Sequence, residues 1–65
     1  MTYKIGKIVE FDGYNGRIVT ETQEYYFIRD DIEENVRIEK GDIVKFQGKG
    51  EDIFPQAYYI TKIEK

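Results

Sequence analysis

The sequence predicts an all-β fold: a small barrel of five short antiparallel strands, with one short helical turn after the third. Three observations predict it. Short runs rich in Ile, Val, Tyr and Phe recur along the chain, separated by polar or glycine-bearing segments. Between Phe11 and Thr20 the chain reads F-D-G-Y-N-G-R-I-V-T, with two turn signals, Asp12-Gly13 and Asn15-Gly16, between apolar runs, which is a hairpin pattern. The length of 65 residues leaves room for a single domain over positions 1–65.

Each element follows in order. Tyr3 to Phe11, Y-K-I-G-K-I-V-E-F, is the first strand, and Gly6 inside it marks a bulge or a sharp bend. Arg17 to Glu21 is the second, closed by the polar turn Glu21-Thr22-Gln23-Glu24. Tyr25 to Ile28 is a short third strand. In D-D-I-E-E-N, Asp30 is placed to cap a helical turn near Asp30–Glu34, with Glu33 as its reciprocal partner. The segment through Lys40 reads mostly as loop. Gly41-Asp42 opens a fourth strand, I-V-K-F-Q, and a glycine-bearing loop from Gly48 to Pro55 follows. Gln56 to Ile63 is the last strand, with Pro55 just before it, where a missing amide donor does little harm. Together these elements fit a five-stranded barrel of the OB type. An SH3-like barrel is the rival, since Gly-Asp-x-Val before a strand is common there too. A parallel strand pair, or a helix longer than about three turns at ~3.6 residues each, would sink the OB assignment. Ile8, Ile18, Phe27, Ile32, Val44 and Phe46 take the inward positions. Phe54 is expected to cap the barrel end, and Tyr58 and Tyr59 to point to opposite faces, one core and one surface.

Composition narrows the function. A domain of this size buries only about 60% of its unfolded surface, and without cysteine no disulfide staples it. Six tyrosines and four phenylalanines supply much of the apolar area. The chain has no Ser, Cys or His, so the common nucleophile–base arrangements and the usual zinc ligands are missing, and neither an enzyme nor a cofactor is expected. The acidic run Asp30, Asp31, Glu33, Glu34 is interrupted by Ile32 and has Asn35 where a calcium loop needs glycine. Capping and solubility explain it, and no metal is expected. No apolar run approaches the ~20 residues of a membrane span, and the start, M-T-Y-K-I-G, lacks an apolar signal region. The expectation is a cytoplasmic monomer. A net charge of −3 argues against strong electrostatic binding of nucleic acid.

The chain resembles the bacterial cold-shock protein family over nearly its whole length. Gly6, Ile8, Phe11 and Gly16 fall on the family's early glycine, buried valine, strand-closing phenylalanine and first-motif glycine. Y-Y-F-I-R-D-D-I at Tyr25–Ile32 lies on the second motif, Gly41-Asp42-x-Val44-x-Phe46 on Gly-x-x-Val-x-Phe, and Gln56-Ala57 on Gln-Ala before the last strand. Several binding positions depart. Glu10 replaces the tryptophan, Arg17 and Val19 the two phenylalanines of the first motif, Ile28 the histidine and Arg29 the second phenylalanine of the second motif. The aromatic near Asn35 is also missing. Tyr26 keeps its aromatic character.

This resemblance implies an OB barrel and a face where Arg17, Val19, Tyr26 and Ile28 converge, with Lys7 and Arg29 nearby. The function it implies is weak, low-specificity binding of single-stranded RNA or DNA. Tyr26 and Tyr14 would stack on bases, and Lys7, Arg17 and Arg29 would meet phosphates. Stacking is worth roughly 1–3 kcal/mol per base, so the lost phenylalanines lower the expected affinity. Tyr14 either packs over its own hairpin or meets a ligand. The alternative is a protein-interaction module that uses the same face through Val19, Tyr26 and Ile28, an apolar cluster rimmed by arginine. A face with no ligand is the third reading.

Overall fold

The computed structural model describes residues 3–50 and 53–63. It has five strands: β1 (Lys4–Phe11), β2 (Asn15–Val19), β3 (Glu24–Ile28), β4 (Ile43–Lys49) and β5 (Gln56–Lys62). They close into a barrel in the order β1-β2-β3-β5-β4, with β1 paired to both β2 and β4. A lone 3₁₀ turn, Arg29–Asp31, follows β3. No helix among the described residues is long and apolar enough to cross a membrane.

One pairing departs from the expected antiparallel scheme: β3 and β5 run parallel, with Tyr26 opposite Gln56. That departure does not count against the OB-type barrel. Strands that alternate in direction can close a ring only if their number is even. Five is odd, so at least one neighbouring pair has to be parallel.

Local chemistry sets the other differences. Asp12-Gly13 makes the first turn, whereas Asn15-Gly16 is already strand. The Asp12 Oδ1 accepts from the amides of Tyr14 at 2.9 Å and Asn15 at 2.8 Å. The second strand ends at Val19 rather than Glu21 because Thr20 starts the next turn. Its Oγ1 accepts from the amide of Gln23 at 3.2 Å and donates to that residue's carbonyl at 3.0 Å. The helical turn begins one residue early, and Asp31, not Asp30, does the capping: its Oδ2 accepts from the amide of Ile28 at 3.0 Å.

Two bulges shape the barrel. Gly6 lies in regular pairing opposite Val44, and the bulge in β1 falls at Val9, between the pairs Ile8–Ile18 and Glu10–Arg17. Gly6 is required for another reason: a Cβ there would stand 2.8 Å from the carbonyl of Val19. In β5, Tyr59 and Ile60 oppose the single residue Phe46 between the Gln47–Tyr58 and Lys45–Thr61 pairs. Tyr59 takes the left-handed conformation at φ 55°. Simple alternation therefore fails here. Ala57 and Ile60 are the inward residues, Tyr59 is exposed, and Tyr58 is half-buried under the Lys49 ammonium, 5.7 Å from its ring.

The core comprises Ile8, Ile18, Tyr25, Phe27, Ile38, Val44, Phe46, Ala57 and Ile60. Five of the six expected core residues are in it. Ile32 is the exception: it is half-buried, bridging to Ile60 and packing on the core with Phe11 and Val36. Tyr25 meets Phe46 edge-on at 5.0 Å, and Phe27 lies 5.5 Å from Phe11. Gly16 makes room for Phe27, whose ring would collide with any Cβ at that position.

Candidate functional site

The outer face of β1, β2 and β3 brings most of the expected site residues together. Register places Lys7 opposite Val19 and Val19 opposite Glu24 in one row. Glu10, Arg17, Tyr26 and Gln56 form a second row across four strands. Asn15 opposite Ile28 begins a third. Alternation turns Ile18, Tyr25 and Phe27 inward, so Arg17, Val19, Tyr26 and Ile28 face outward as expected. Tyr14 and Arg29 meet at the far end of this face, where the Arg29 amide donates to the Tyr14 carbonyl at 2.7 Å. Asp12 fixes that turn. The backbone amides of Tyr14 and then Asn15 donate to its carboxylate and hold its pKa below the ordinary aspartate value.

Phe54 was expected at the barrel end and instead belongs to this face. Its ring lies parallel to that of Tyr26, at an interplanar angle of 3° and a centroid separation of 5.6 Å, an offset stack. The chain is brought there by the amide of Tyr26, which donates to the Pro55 carbonyl at 3.0 Å. Tyr14, Tyr26 and Phe54 are 52%, 43% and 57% exposed, so all three offer ring surface to solvent. Beside the stacked pair runs a shallow groove of about 260 Å³, bordered by Asn15, Gly16, Ile28 and Gln56.

The cations differ in their freedom. The Arg17 guanidinium lies 3.4 Å from Glu10 and 3.4 Å from Glu24, one carboxylate on each neighbouring strand. Its Nε is buried without a hydrogen-bond partner. Arg17 thus spans the face as a brace, and its charge is already shared. Lys7 and Arg29 make no ion pair among the described residues. Val19 and Ile28 are half-buried and project little apolar area.

Sequence reasoning missed Phe54, the groove amides Asn15 and Gln56, and the two carboxylates on Arg17. The register carries a signal for one of the two: Glu10 stands directly opposite Arg17, whereas Glu24 is opposite Val19 and reaches Arg17 only diagonally. Phe54 had no local signal, because its place depends on the β3–β5 closure. Compared with known proteins, the chain matches no family model and no curated protein sequence.

Proposed function

We propose that the β1–β2–β3 face binds single-stranded RNA or DNA, weakly and with little sequence preference, as the resemblance to cold-shock proteins implies. The stacked, exposed pair of Tyr26 and Phe54 is the observation that carries this reading. It supplies from a loop the second aromatic that Arg17 and Val19 no longer supply from β2. Every base has a π-face, so rings at Tyr26, Phe54 and Tyr14 accept a strand without reading it. Lys7 and Arg29, without an ion pair among the described residues, are the cations for phosphates, and Arg17 stays engaged with Glu10 and Glu24. Two phosphate contacts on a single strand correspond to a log–log salt slope of about −1.4. The protein-interface reading through Val19, Tyr26 and Ile28 draws less support, because two of its three members are half-buried.

The test is the affinity for short oligo-dT and oligo-U at several salt concentrations. Tyr26→Ala and Phe54→Ala should each weaken binding by the equivalent of about 1–3 kcal/mol, with the shallow salt slope kept. NMR amide shifts should cluster on Arg17–Val19 and Tyr25–Ile28. Parent protein whose amides do not move with either oligonucleotide would sink the proposal. Partner capture on this face with no salt response would favour the protein interface.

A further inference from the structure

Resting on that reading, we propose that the groove beside Tyr26 holds one unpaired base and that Asn15 and Gln56 read its edge. The preference of an otherwise indifferent face is thereby confined to one nucleotide. The groove has the character of a base site. The rings of Tyr26 and Phe54 line one side of it, beside Asn15, Ile28 and Gln56. Among the described residues no charged side chain borders it, so it suits a neutral base and leaves phosphates to Lys7 and Arg29 outside.

The two amides stand on opposite sides of β3. Asn15 pairs with Ile28 on the β2 side, and Gln56 with Tyr26 on the β5 side. Two residues along a strand and two strands across separate them by about 7 Å and about 10 Å, so both side chains reach toward one base between them. Neither side-chain amide makes a hydrogen bond among the described residues, although Gln56 is half-buried. A primary amide carries a donor and an acceptor side by side, the pattern that pairs with the polar edge of a base. Ring stacking alone cannot tell bases apart; a pair of unengaged amides at the rim of the groove can.

The experiment compares parent and Asn15→Ala/Gln56→Ala protein on oligo-dT, oligo-dC and oligo-dA. Each homopolymer is compared with itself, so its own stacking cancels. The double variant should lose about tenfold or more on the homopolymer the parent prefers, and less than about threefold on the one it binds worst. Equal losses on all three, or none, overturn the amide reading and leave the proposed function standing. A parent that binds none of the three overturns both. The Asp12 contact to Asn15 uses the backbone amide, so truncating that side chain spares the turn. Should the double variant fail to fold, Asn15→Ala alone must still lower the preferred homopolymer by about threefold, and an unchanged preference overturns the proposal.

Discussion

At the scale of single residues, Phe27 ties the site to the core. Its ring is 2% exposed, packs on Phe11, and sits over Gly16 beneath the groove. Phe27→Ala should cost roughly 3–5 kcal/mol, a large part of the ~5–15 kcal/mol available to a small domain. Chemical denaturation measures this directly, and a variant as stable as the parent would refute the inward facing of β3. The burial of Phe27 was legible, because a strand's alternation is a local property. Ile32 was not legible, because its half-burial depends on a bridge to Ile60, far along the chain. Arg17 was legible as a surface cation, but its engagement required knowing that Glu10 and Glu24 flank it.

At the scale of elements, the β1–β2 hairpin depends on one carboxylate. Asp12 accepts the amides of Tyr14 and Asn15, which lowers its folded pKa beneath the unfolded value of about 3.9. The sign follows from that direction. The stabilisation is fully present above the unfolded pKa and is lost as pH falls through the lower folded one. On acid titration the Tyr14 and Asn15 amides should shift together and lose exchange protection below about pH 4. Asp12→Asn keeps an acceptor oxygen and should flatten that response. Amides that ignore the titration would show that the turn stands without the carboxylate. The turn was readable because Asp-Gly chemistry acts over a few residues. The β5 bulge was not, since an extra residue exists only relative to a partner strand. For the same reason, alternation alone misplaced Tyr58 and Tyr59.

At the scale of the whole molecule, the number of strands was readable from the spacing of apolar runs, and an odd number already demands a parallel pair. Which pair it is follows only from closure. The β3–β5 seam has a single register pair, Tyr26 with Gln56, against five pairs in the β2–β3 ladder. Around it lie the bonds from the Tyr26 amide to Pro55 and from the Glu33 amide to Ile60, at 3.0 Å and 2.9 Å. Native-state hydrogen exchange should find these two amides opening at lower free energy than those of the β1–β2 and β2–β3 ladders. Uniform protection around the ring would show that the seam is as firm as the rest.

The seam and the candidate site occupy the same place, so on the proposed function gripping a strand and keeping the ring shut would become one equilibrium. Tyr26 stands on one side of the join, and Phe54 and Gln56 lead into the other. A ligand touching both sides acts as a clasp, and its binding free energy adds to closure by mass action. The reverse also holds. Molecules with the join parted have no paired rings to offer, so apparent affinity falls in proportion to the closed fraction. Warming should therefore loosen the hold on a strand before the sheet itself melts.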